Sequence, residues 1–191
     1  MEQSRVLCCF QGLSQTETFN RISSFLSPVI LVKICKVTIR PILDYGCTVW
    51  GFCSKKNSDF LERLQNKAMR IILRTNHLMC TQFMRKKLGL LTLFNRWRYM
   101  RLQLVYRIMN DYNCPRQLQG YFVLRSDLRG KVLRDNRELH LPRTKTAMGR
   151  STFMYAAAKE WNDLPNDHRN CSSLKIFKTK LFKFFSDVLF D

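Results

Sequence analysis

Apolar residues recur at intervals of three and four along most of the chain, the period of an α-helix with one buried face. The first such run opens at Ser27-Pro28, an N-cap residue followed by proline at the first helical position, and extends toward Trp50. Ile30, Ile34, Val37, Pro41 and Val49 lie roughly along one side of it. Pro41 has no amide hydrogen and crowds the preceding turn, so a kink rather than a break is expected near Val37–Ile39. Gly51 and residues 54–57 end the helix. The next run, about Ser58 to Arg74, puts Leu61, Leu64, Ala68 and Ile72 on one face. Arg63, Lys67, Arg70 and Arg74 follow one another at four, three and four residues, which gathers the four cations on another face.

A short helix is expected over Thr81–Leu88, stopped by Gly89, and a longer one over Leu91–Asn110. The longer helix has two apolar stripes, Leu93, Trp97, Met100, Leu104 and Ile108 on one side and Tyr99, Leu102 and Tyr106 on the other. It is therefore expected to touch several neighbours. Residues 120–150 read differently. Gly120, Gly130, Pro142 and Gly149 punctuate short alternating segments, and Tyr121–Leu124 with Glu138–Leu141 suggest a small β-hairpin. Helices over Thr152–Asn162 and Ser173–Leu189 close the chain, the first stopped by Leu164-Pro165 and the second presenting Leu174, Phe177, Leu181, Phe184 and Val188 on its apolar face. The fold expected is mainly α: a compact multi-helix domain with a kinked N-terminal helix, a loop-rich basic segment and two C-terminal helices.

Charge changes the picture. The 191 residues carry 33 Lys and Arg against 14 Asp and Glu, a formal net charge of +19. A surplus of that size repels itself in a folded chain, which points to an anionic partner, nucleic acid before an anionic membrane surface. Residues 120–150 contribute Arg125, Arg129, Lys131, Arg134, Arg137, Arg143, Lys145 and Arg150. Such a stretch is either a phosphate-binding surface or a basic connector. The candidate nucleic-acid contacts are Arg63, Lys67, Arg70 and Arg74 on the helix, and Arg129, Lys131, Arg134, Arg143 and Lys145 in the connector.

Other chemistry is poorly supported. The eight cysteines show no Cys-x-x-Cys pair, and His77-x-x-Cys80 lacks further donors at zinc spacing, so neither metal nor other cofactor is expected. Polar residues at the start and unpaired thiols suit an intracellular, nuclear or cytoplasmic protein. The most apolar run, Leu26–Ile42, is interrupted by Pro28, Lys33, Lys36 and Arg40, which argues against a membrane span. Two-metal phosphoryl transfer needs clustered carboxylates, whereas the nine aspartates include no adjacent pair. Trp50, Trp97 and Trp161 fall on apolar faces and read as core residues rather than platforms for bases.

An ordered set of motifs remains. It runs Ile39-Arg-Pro-x-Leu-Asp-Tyr45 with Val49-Trp-Gly51, then Leu64-Gln-Asn-Lys-Ala68 with Arg70-Ile-Ile72, then Leu88-Gly-Leu-Leu91 with Arg96. Tyr106-Arg-Ile108, Pro115, Pro142-Arg-Thr144, Ser151-x-Phe153-x-Tyr155, Trp161-Asn-x-Leu-Pro165 and Ser173-Leu174 with Phe177-Lys178 complete it. Over about Phe19 to Phe185 this order resembles the thumb and post-thumb region of LINE-type (non-LTR) retrotransposon reverse transcriptases of the jockey/CR1 kind. The resemblance implies a parent that is an RNA-directed DNA polymerase, with helices that hold a template–primer duplex and a following region that grips RNA or DNA. On that basis residues 1–18 are an unmatched segment, 19–118 thumb-like, 119–150 a basic connector and 151–191 a C-terminal helical pair. The chain departs from the family's pattern in lacking the paired aspartates that bind polymerase magnesium, and Ala157 stands where glycine is common.

The function expected is that of a catalytically incompetent fragment that binds RNA, DNA or their hybrid through the backbone, without a small-molecule substrate. Two readings stay beside it. One is a structural module on acidic partners or membrane surfaces, suggested by the phenylalanines and lysines of Ser173–Leu189; the other is a retroelement relic without function.

Overall fold

Proline, glycine and the apolar period set most helix limits in the computed structural model, which describes residues 14–51, 55–110, 114, 116–129 and 137–187. The side chains of 49, 50, 55, 56 and 129 fall outside that description, as do Lys131, Arg134 and Val188, so the roles expected of them and of Trp50 do too. The chain is mainly α. It divides into two units, one reaching Trp97 and the other starting at Arg98, a boundary inside one helix.

The first unit holds α1 (14–23), α2 (Pro28–Val37), α3 (Ile39–Asp44), α4 (Cys47–Trp50), α5 (Lys55–Leu73), α6 (Thr81–Leu88) and the first turns of α7 (Leu93–Asn110). Ser27 is extended before Pro28, as expected of that pair, although its hydroxyl makes no cap bond. The helix breaks at Thr38, where a kink rather than a break was expected. Thr38 donates both its amide and its hydroxyl to Ile34 O, at 2.8 and 2.9 Å. The single helix expected onward to Trp50 does not form. Gly46 takes φ 62°, a left-handed conformation that costs glycine little, and separates α3 from α4.

Helix α5 starts three residues earlier than the expected Ser58 and buries Leu61, Leu64, Gln65, Ala68, Met69 and Ile72. Helices α2 and α6 pack against it. Met69, Met84 and Leu90, with Leu73, Met79 and Leu88 beside them, fill the join between α5 and α6. Gly89, at φ 61°, ends α6 where expected, and Leu90 N–H donates to Arg85 O at 3.0 Å. Helix α7 begins at Leu93 rather than Leu91. Thr92 acts as the N-cap, its hydroxyl accepting Asn95 N–H at 3.2 Å, while Leu91 O is held by the Gln65 amide at 3.0 Å.

The second unit contains the rest of α7, a 3-10 turn (Arg116–Leu118), α8 (Arg125–Arg129), α9 (Ala147–Arg150), α10 (Phe153–Asn162), α11 (Asn166–Arg169) and α12 (Leu174–Asp187). Tyr106 of α7 stacks on Phe177 of α12 with ring centroids 4.6 Å apart, and Trp161 of α10 lies 5.8 Å from the same ring. The polar ends of these rings are satisfied: Tyr106 O–H donates to Cys171 O at 2.8 Å and Trp161 Nε1–H to Arg137 O at 2.9 Å. Trp97 and Trp161 are core residues, as their positions predicted. Two closing helices were expected, and the short α11 stands between them. The buried residues of α12 are Phe177, Leu181 and Phe185, with Phe184 only half-buried.

The expected hairpin is reduced to one antiparallel bridge, Leu124 with Leu139, and no strand forms among the described residues. Helix α8 takes over at Arg125 and ends the pairing, while Asn162 binds the edge of Leu139 turned away from the bridge, accepting Leu139 N–H at 2.8 Å and donating to Leu139 O at 2.9 Å. Among the described residues no helix is long and apolar enough to cross a membrane.

Candidate nucleic-acid interface

Helix α5 presents its cations opposite its core. At 100° per residue Arg63, Lys67 and Arg70 fall within about 60° of arc, centred across the helix from Leu61, Ala68 and Ile72. Arg63 and Lys67 are exposed; Arg70 is half-buried, and its Nε has no hydrogen-bond partner. Exposed Asp59 sits one turn before Arg63 and tempers the local charge.

Arg74 does not extend this stripe. It lies one residue past the end of α5 in a left-handed conformation, φ 51°, where glycine is the usual residue. Thr75 N–H donates back to Arg70 O at 3.1 Å and closes the helix end. The Arg74 guanidinium donates to Ser23 O and Leu26 O, both at 3.2 Å, and so satisfies carbonyls at and beyond the end of α1. The expectation that four cations share one helical face is corrected to three.

Of the connector residues, Arg143 and Lys145 are exposed in the stretch without helix or strand that follows the bridge. Both belong to the second unit, whereas the α5 cations belong to the first. Arg129, by its side chain, and Lys131 and Arg134 altogether lie outside the described residues.

The rest of the basic surplus is partly spent on carboxylates. Arg101 is 1% exposed and meets Glu160 with two parallel bonds, Nη2 to Oε1 at 2.6 Å and Nε to Oε2 at 3.1 Å. Arg98 reaches the same carboxylate at 3.5 Å and covers the Phe185 ring at 5.1 Å. Arg85 pairs with Glu62 at 2.9 Å, Arg96 with Asp44 at 3.1 Å, and Arg125 with Glu138. Arg40 is buried beside Asp44 and Arg96; burial chiefly, and then the Arg96 charge, lower its pKa against the pull of Asp44.

These buried arginines were missed as structural groups, although one signal was present. Arg101 sits between Trp97 and Val105 in the middle of an apolar stripe, where only a buried carboxylate makes a guanidinium tolerable.

Among the described residues, no three His, Cys, Asp or Glu side chains are placed to hold a metal ion. Cys80 is exposed at the N-cap of α6, and the amides of Phe83 and Gln82 hold its thiol below the ordinary range. Cys35 is buried, which pushes its thiol up. Comparison with protein-family models, with curated proteins and with solved structures finds no match to this chain.

Proposed function

We propose that the chain is a basic helical grip on nucleic acid, corresponding to the thumb and post-thumb part of a LINE-type reverse transcriptase, and that it does no chemistry by itself. It binds RNA, DNA or their hybrid through phosphates and reads no bases. The observation that carries this reading is the α5 stripe. Arg63 and Lys67 stay exposed on one helix, with half-buried Arg70 on the same arc, while Arg85, Arg96 and Arg101 are neutralised by carboxylates. Cations left uncommitted in register are suited to a regularly spaced polyanion. The absence of adjacent aspartates in the sequence supports the non-catalytic half of the proposal.

A salt titration of binding to duplex DNA and RNA–DNA hybrid tests it. With three to five phosphate contacts, log K is expected to fall with log salt at a slope of roughly −3 to −4.5 on duplex DNA. A flat titration, or primer extension by the purified chain alone, would sink the proposal.

A further inference from the structure

The solvent side of α2 carries apolar residues that the fold does not use. The buried positions of this helix are Leu31 and Cys35. On the opposite side Val29 is 67%, Ile30 45% and Val37 74% exposed, and Phe25, in the turn before the helix, is 86% exposed. Val29, Lys33 and Val37 are each four residues apart and form one ridge, with Ile30 along one edge of it and Lys36 along the other. At 100° per residue the five positions span about 120° of arc. Both lysines are exposed, and neither pairs with a carboxylate among the described residues. The sequence from Thr18 to Leu43 contains no Asp or Glu.

Contiguous apolar surface on the solvent side of a helix marks a contact site. The order of residues within the ridge selects its occupant. A helix lying on a membrane keeps its cations on the polar face, whereas Lys33 stands between two valines in the middle of the apolar stripe. Nucleic acid would meet Lys33 but gain little from valine and isoleucine, which offer no ring for bases to stack on. A second copy would bring its own lysines to the same ridge and double a net charge of +19. What fits is a partner helix with an apolar residue, a carboxylate and an apolar residue at successive intervals of four. Its ridge lies beside that of α2, and its carboxylate meets Lys33. We infer that α2 docks such an acidic amphipathic helix through Val29, Ile30, Lys33 and Val37, with Lys36 at the rim. This surface is separate from the cations of α5 and does not depend on nucleic-acid binding.

The test uses the full chain and a capped helical peptide of about 18 residues, neutral in net charge, with leucine, glutamate and leucine at intervals of four on one face. Anisotropy of the labelled peptide measures affinity, and the methyl NMR signals of Val29, Ile30 and Val37 locate it. Saturable binding that shifts those methyls is expected. Glutamine in place of the peptide's glutamate, or Lys33→Glu in the chain, should weaken binding at least about tenfold. A peptide with lysine at that position should regain affinity for the Lys33→Glu chain, which general attraction to a basic protein would not produce. Val29→Ser with Val37→Ser should also cost at least about tenfold, with the unfolding midpoint unchanged because both residues are exposed. Arg63→Glu with Lys67→Glu should leave peptide binding intact, so loss of the duplex grip and loss of this surface are told apart. The inference is overturned if the peptide moves no methyl of α2 or if the glutamine peptide binds equally well. It is also overturned if those methyls respond instead to phosphatidylserine vesicles, to duplex DNA, or to rising chain concentration as in a dimer.

Discussion

Glu160 decides the state of two arginines at once. Arg101 is fully buried and held by both carboxylate oxygens, and Arg98 adds a third approach. Removing Glu160 as alanine leaves a guanidinium in the core without a counter-charge, which costs about 3–5 kcal/mol. Urea unfolding should therefore show a large loss for Glu160→Ala. The double change Arg101→Met with Glu160→Leu should recover most of it, because an apolar pair of similar volume needs no desolvation of charge. His168 offers a second test at this scale. It lies edge-on to the Phe184 ring, its Nδ1 is buried without a partner, and burial followed by the Lys180 charge lowers its pKa. The unfolded chain thus binds the proton more readily than the folded one. Stability should be full above the ordinary value of 6.5 and fall as pH drops through the window below it. His168→Gln should flatten that part of the pH profile; an unchanged profile would remove His168 as the cause.

Helix α5 separates binding from folding. Its core face is continuous from Leu61 to Ile72, and the cations face away from it. Arg63→Glu with Lys67→Glu should weaken duplex binding at least about tenfold and make the salt slope shallower by roughly 2, since each lost phosphate contact removes about 0.9. Thermal unfolding should move little, because both residues are exposed and unpaired charges on a surface contribute little to stability. The helix also shows how far local pattern reaches. Its apolar and basic positions were legible from spacing alone. Arg74 was not, because a residue just past a helix end takes its direction from a left-handed backbone and from carbonyls some fifty positions earlier, with a separation of 51 to Ser23.

For the molecule as a whole, the net charge of +19 predicts two salt effects of opposite sign. Screening of self-repulsion should raise the unfolding midpoint as salt increases from about 0.02 to 0.2 M, while the same increase weakens nucleic-acid binding. Differential scanning fluorimetry and a binding titration in matched buffers measure both. A midpoint that falls with salt would mean that ion pairs such as Arg85–Glu62 outweigh the surplus.

The sequence alone determined the helical class, the Ser27-Pro28 start, the Gly89 stop, the burial of Trp97 and Trp161 and the opposed faces of α5. All of these depend on neighbours within a turn or on a period of 3.6, which the order of residues carries directly. Tertiary structure decided which cations remain available. Arg101 meets Glu160 across 59 residues and Arg96 meets Asp44 across 52, distances over which composition and spacing carry no information about pairing. It also reduced the expected hairpin to a single bridge, because helix α8 begins at Arg125, and it brought Asn162 of α10 to the other edge of Leu139.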